Sequence, residues 1–332
     1  MPLAESAQAA ASMRATRGAR VRVWKSILAE RRFGLGADAA FRWLARASAI
    51  SVILMLVMLL LVLSSAAIPS IRTFGWSFLT SSDWRPNELQ QPVQAPGGRI
   101  VMQSIPPSFG ALPVIYGTVV SSALALLIAL PLSLGAALFL VRVAPRLKVA
   151  APVSILIEFL AAIPSIAYGI WALFVLAPIL GRNMLCGGLI LAIMILPIVT
   201  AVSRDVLAAV PRAQIEGSLA LGATWWQSCR QMLRHSRGGL FGAAMLGLAR
   251  AAGETMAITM VIGNNNRIVP SLFAPAQTMS SLLANEFAEA SSSLHRAALV
   301  EVALILLVMS LLFNVIARYL VVGVEARTAA AA

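Results

Sequence analysis

Residues 50–68 of this 332-residue chain include no Asp, Glu, Lys or Arg, and that one run restricts the possible folds more than any other feature. About 20 apolar residues cross a bilayer as a helix. Within hydrocarbon a helix satisfies its own backbone N–H and C=O groups, which a loop or an open sheet cannot do. Five more stretches share the character: 114–141, 150–180, 184–203, 239–264 and 298–320. Only 12% of the residues are charged, about half the share in a soluble domain, so a water-facing surface cannot be built. The expectation is an all-α integral membrane protein with six transmembrane helices. Pro131 is expected to break the second span. The third carries Glu158 with Pro152, Pro164 and Pro178, the fourth Pro197, the fifth Arg250 and Glu254, and the sixth Glu301 near its start.

The formal charge of +13 would suggest nucleic acid in a soluble protein. In a membrane protein it reads as basic residues gathered on cytoplasmic loops, so no nucleic-acid partner is expected. Arg14, Arg17, Arg20, Arg22, Lys25, Arg31, Arg32, Arg42 and Arg46 precede the first span. Arg142, Arg146 and Lys148 follow the second, Arg204, Arg212, Arg230, Arg234 and Arg237 the fourth, and Arg318 and Arg327 close the chain. The opposite side has only Arg72, Arg85, Arg99, Arg182, Arg267 and Arg296. Both termini are therefore expected in the cytoplasm. The organisation that follows is a basic tail over 1–48, a transmembrane domain over 49–322 with outer loops 69–113 and 265–296 and an inner loop 204–238, and a short tail over 323–332. Trp76 and Trp84 in the first outer loop serve either solute delivery or anchoring at the lipid interface. Cys186 and Cys229 fit no metal or disulfide spacing and lie on opposite sides in this topology. His235 and His295 stand isolated, so no metal and no cofactor is expected.

The inner loop 204–238 has a readable local pattern. Pro211 can open a helix, Ile215, Leu219 and Leu221 form an apolar stripe, Gly222 ends it, and Thr224 can cap a second helix running to about Arg234. Two short helices around a glycine at a membrane surface suit a groove in a soluble partner.

Glu216-Gly217-Ser218 with Gly222 four residues after Ser218 resembles the EAA loop of ABC importer permeases, with Gly217 and Ser218 in place of the two alanines. Met232-Leu233-Arg234-His235 stands where that loop has Ile-x-Leu-Pro. Further motifs resemble one subfamily: Phe109-Gly110-Ala111-Leu112-Pro113, Ala161-Ala162-Ile163-Pro164-Ser165, Ala220-Leu221-Gly222-Ala223-Thr224, and Gly253-Glu254-Thr255-Met256-Ala257 preceded by Arg250 and followed by Thr259. Together these are similar to the PstC-type permeases of bacterial phosphate ABC importers, over roughly residues 76–322. The resemblance implies a type I importer permease fold and several partners: a second related permease, a dimeric cytosolic ATPase and an extracytoplasmic phosphate-binding protein. It implies that Glu216, Gly217, Ser218, Gly222 and Ala223 dock on the ATPase. Trp225 and Trp226 belong either to that contact or to the membrane surface.

Arg250 and Glu254 lie four residues apart in an apolar span, where a lone charge costs about 2.5–3.5 kcal/mol. On a continuous helix they share one face and can neutralise each other. The functional reading gives this face, with Thr255 and Thr259 as neutral donors, to the phosphate path, because a guanidinium meets an oxyanion with two parallel bonds. The structural alternative is a salt bridge that only packs helices. Glu158 and Glu301 are less suited to meet solute directly. Neither Lys25 nor Lys148 sits in a Walker A loop, so ATP hydrolysis is expected from a partner and the chain is not expected to be an enzyme. A permease for another oxyanion, such as molybdate or sulfate, and a secondary anion transporter are the competing readings.

Overall fold

The computed structural model describes residues 39–94 and 100–329, so the expected tail lies outside the described residues up to position 38. The chain divides into two compact units, Met1–Val62 and Leu63–Ala332. Helix α1, Ala39–Phe74, bears the first apolar run and crosses that boundary. The second unit continues with a one-turn helix α2 (Ser77–Thr80) and two strands, β1 (Leu89–Gln94) and β2 (Ile100–Ile105). The strands pair antiparallel from Leu89 opposite Ile105 to Gln94 opposite Ile100, a hairpin inside the stretch 69–113 expected as an outer loop.

Helix α3, Leu112–Arg142, runs unbroken through Pro131, against the expected break. Its sequence contains the reason. Gly117, Ser121, Ala125, Ala129, Ser133 and Ala137 recur every fourth residue and all are buried. A ridge of small side chains lets two helices approach closely where lipid supplies no hydrophobic force between them. The partner is α7, Met184–Ala208. There a Cβ added to Gly188 would fall 2.6 Å from Leu124 Cδ2. Pro197 is likewise housed inside α7; nearby, the Leu196 carbonyl accepts hydroxyls from Thr200 at 2.7 Å and Ser133 at 3.1 Å. Neighbouring side chains can hold a helix together around a proline in this way.

Residues 150–180 do not form one continuous helix. They divide into α4 (Ala150–Ala162), α5 (Ser165–Trp171), a π-helical turn (Ala172–Leu176) and α6 (Ala177–Leu180), with an 89° bend between α4 and the rest. Ile163 precedes a proline and takes the extended conformation that position favours, ψ 130°. Across the bend the Tyr168 hydroxyl donates to the Leu160 carbonyl at 2.7 Å.

After α7 come α8 (Arg212–Ala220) and α9 (Trp225–His235), then α10 (Arg237–Ala252), α11 (Met256–Val261), α12 (Met279–Glu286) and α13 (Ser293–Ala329). The last helix covers most of the stretch expected as a C-terminal tail. Among the described residues, four helices are long and apolar enough to span a membrane, namely α1, α3, α7 and α13 over Ser293–Ile316, and the bent pair would be a fifth. The expected fifth span, 239–264, is instead shared between α10 and α11.

Three apolar clusters follow α3 along its length. Val114 belongs to one with Phe78, Phe109, Leu282 and Leu299; Ala125 and Ala129 to a central one with Ile190, Leu191, Ile195 and Ile258; Ala137 to a third with Leu207, Met232 and Leu240. Cys186 and Cys229 are buried free thiols. His295 is not isolated as expected. Its Nε2 lies 3.0 Å from Glu286 Oε2, which also accepts from Trp84 Nε1 at 2.8 Å. Trp84 therefore joins segments 69–113 and 265–296, whereas Trp76 is exposed.

Candidate functional site

The pair singled out from the sequence sits at a break in a helix. Helix α10 ends at Ala252, and Gly253, Glu254 and Thr255 separate it from α11. Glycine is about 1 kcal/mol poorer than alanine inside a helix, and Gly253 stands where the helical bonding stops. The break cancels the expected shared face. Glu254 turns inward and is buried, with Oε1 accepting from the Ala257 N–H at 3.4 Å, while its carbonyl accepts from the Ser280 hydroxyl at 2.6 Å. Arg250 is exposed at the end of α10. Among the described residues no ion pair joins it to Glu254, so the mutual salt bridge is absent.

The two threonines are engaged locally. Thr255 Oγ1 lies 3.4 Å from the Gly253 carbonyl and Thr259 Oγ1 donates to the Thr255 carbonyl at 2.6 Å. Their oxygens keep acceptor capacity, but as donors these hydroxyls are spent on the backbone. Asn264, not singled out from the sequence, donates through Nδ2 to the Thr259 carbonyl at 2.9 Å. Its signal is a left-handed backbone, φ 51°, which asparagine tolerates better than most residues.

The bent and the broken helix meet. A Cβ on Gly169 of α5 would lie 2.9 Å from the Ala257 Cα and 2.9 Å from Met260 Sδ, so only glycine allows α5 to lie this close to α11. The other intramembrane acids are elsewhere: Glu158 pairs with Arg204 at 3.2 Å, and Glu301 is buried in α13.

The segment 204–238 folds as its caps dictate. Gly222 takes φ +85°. The Ala223 N–H reaches the Ser218 carbonyl at 3.1 Å and the Gly222 N–H the Leu219 carbonyl at 3.0 Å, the bonding of a Schellman ending. Two residues on, Thr224 and Gln227 form a reciprocal capping box that starts α9. Ile215 of α8 and Met232 of α9 pack with Leu207 and Val210, which anchors the hairpin to the ends of the long helices. Its outer face stays apolar and uncovered: Leu221 is 91% exposed, Trp226 62%, Leu219 43% and Trp225 38%. The two indoles stack with centroids 6.4 Å apart. Glu216 and Gly217 are exposed on α8, and a Cβ at Gly217 would touch nothing, so glycine in place of alanine there is not a steric requirement.

A spanning bundle with a capped helical hairpin at one end and a broken helix within is matched by known proteins. Residues 129–326 fit the family model of the binding-protein-dependent transport system inner membrane component. The phosphate transport system permease protein PstC of Mesorhizobium japonicum is 42% identical, covering 90% of this chain and 94% of that protein. The chain belongs to the PstC-type permeases. The PstC of Haemophilus influenzae is 38% identical over 83% of this chain and 90% of its own length. PstC 1 of Mycobacterium tuberculosis is 35% identical over 86% and 93%. Among solved structures, an inward-facing MetNI methionine ABC transporter aligns with a TM-score of 0.54 at 17% identity, covering 64% of this chain and 94% of that one. That likeness shows a shared permease fold. The chain is thus a multi-pass inner-membrane transport subunit, not an enzyme. As an ABC importer permease it works with a partner permease, an ATPase and a binding protein.

Proposed function

We propose that this chain, with a second, related permease, forms the translocation path of an ATP-driven phosphate importer. Six spans cross the membrane: α1, α3, the bent segment α4–α6, α7, the broken segment α10–α11, and α13. Both termini, the basic tail over 1–48 and the α8–α9 hairpin lie in the cytoplasm, with 69–113 and 265–296 outside. A dimeric ATPase receives Glu216, Gly217, Ser218, Gly222 and Ala223, with Trp225 and Trp226 filling apolar pockets as aromatic anchors do. ATP binding closes that dimer, pushes the hairpin and opens the path outward to a phosphate-binding protein; hydrolysis returns it inward. Each state must differ in its contacts for such a shift.

The observation that carries the reading is Arg250, exposed and without an ion pair among the described residues, beside a break that buries Glu254. A guanidinium facing lipid is costly, so it belongs on a wet path or a protein partner, where it can hold an oxyanion through two hydrogen bonds. Glu254 nearby keeps the site from trapping the anion. The names of the relatives support phosphate as that anion. The test is uptake of labelled phosphate into cells lacking this chain, restored by its expression with its partners. Unlabelled phosphate should compete, and excess sulfate or molybdate should not. Equal competition by either would overturn the assignment to phosphate.

A further inference from the structure

We propose that a second anion site, for a phosphate group, lies in the groove between the α3–α4 turn, the end of α7 and α8. The groove encloses about 670 Å³ and is lined by Arg142, Arg146, Arg204 and Arg212 against a single carboxylate, Glu216. Arg204 is already matched by Glu158 at 3.2 Å and Asp205 at 2.9 Å. The other three arginines have no ion pair among the described residues. Arg142 reaches only the Ser228 hydroxyl, at 3.4 Å, and its Nε is buried without an acceptor. A buried guanidinium N–H without a partner is a donor that a ligand oxygen can satisfy, and a planar guanidinium fits phosphate oxygens in pairs. Helix α4 begins at the groove with no side-chain cap, so the N–H groups of Ala150 and Ala151, which line it, favour an anion there, while Pro152 has no N–H to offer.

The site is distinct from Arg250, which does not line the groove. It rests on the proposed orientation only for its ligand pool: on the cytoplasmic side, free inorganic phosphate or the phosphodiester of an anionic lipid headgroup offers the same chemistry. An occupant would bridge the α3–α4 turn to α8, the helix assigned to the ATPase.

The test uses the full chain in nanodiscs of neutral phosphatidylcholine, carrying Arg250→Ala so that binding at the path does not contribute. Labelled inorganic phosphate should bind saturably. Arg146→Gln, an exposed position, should weaken it about tenfold by removing a charge-assisted pair of bonds, and Arg142→Gln should do the same with unchanged thermal unfolding. In discs containing phosphatidylglycerol, undiminished phosphate binding identifies the free anion. Loss of phosphate binding there, with phosphatidylglycerol retained by the parent and released by Arg146→Gln, identifies the headgroup. Phosphate binding that is absent in neutral discs, or unchanged by Arg146→Gln, together with equal lipid retention by both proteins, would overturn the proposal. Cellular uptake reads the path independently, so the two failures are distinguishable.

Discussion

The α3–α7 pair and the α4–α6 and α10–α11 segments answer the same chemical difficulty in opposite ways. Pro131 and Pro197 lie inside helices that remain continuous, whereas Pro164 accompanies an 89° bend and α10 stops at Gly253 with no proline at all. Proline content therefore does not decide where a helix breaks. Packing does. The α3 ridge from Gly117 to Ala137 is buried along its whole length, and hydroxyls of Ser133 and Thr200 bond the Leu196 carbonyl of α7. Helix α4 buries none of its residues, so packing opposes the extended backbone that Ile163 takes before Pro164 far less than it would in α3. The unbroken pair is a frame, and the two broken segments touch at Gly169 and Ala257, beside the path proposed above.

The comparison is broken most severely by filling the ridge. Ala129→Phe should cost at least about 1–3 kcal/mol as overpacking and abolish recovery of folded permease in detergent; a normal unfolding temperature would refute the role of the ridge. Next in size is Gly222→Val, which forces a β-branched residue to φ +85° at roughly 1–2 kcal/mol. Co-purification of the ATPase should fall severalfold while the spanning bundle unfolds normally. A smaller effect separates the two kinds of proline. Pro197→Ala should leave uptake nearly unchanged because α7 is held by its neighbours. Pro164→Ala should slow uptake and lengthen a spin-label distance between α4 and α6. Smallest of all, Gly217→Ala should raise stability by about 0.5–1 kcal/mol with docking intact, since its added methyl meets nothing.

The hairpin was legible because its signals are local: Pro211, Gly222 and Thr224 each act within a few residues, and α8 and α9 start and stop around them. The long helices were legible from their apolar runs. The breaks were not, because Gly253 becomes a terminus only once Glu254 is drawn inward to the Ala257 N–H and its carbonyl to Ser280, and Ser280 lies 26 residues away. Pro131 misled for the same reason, since the helix that steadies α3 is distant in sequence. In the bridge from Trp84 through Glu286 to His295 the Trp84–Glu286 bond alone spans 202 positions, and no periodicity announces it. Arg250 and Glu254 were identified as a pair worth attention, but the shared face expected of them, and with it the alternative of a mutual salt bridge, assumed a continuous helix that the break at Gly253 removes.

The most direct test of the central claim is ATP-dependent phosphate uptake by the complete importer carrying Arg250→Ala, at an assembly level equal to the parent's. Uptake should collapse, with Arg250→Lys restoring only part because an ammonium lacks the paired donors of a guanidinium. Uptake at the parent rate from a fully assembled Arg250→Ala complex would contradict the account.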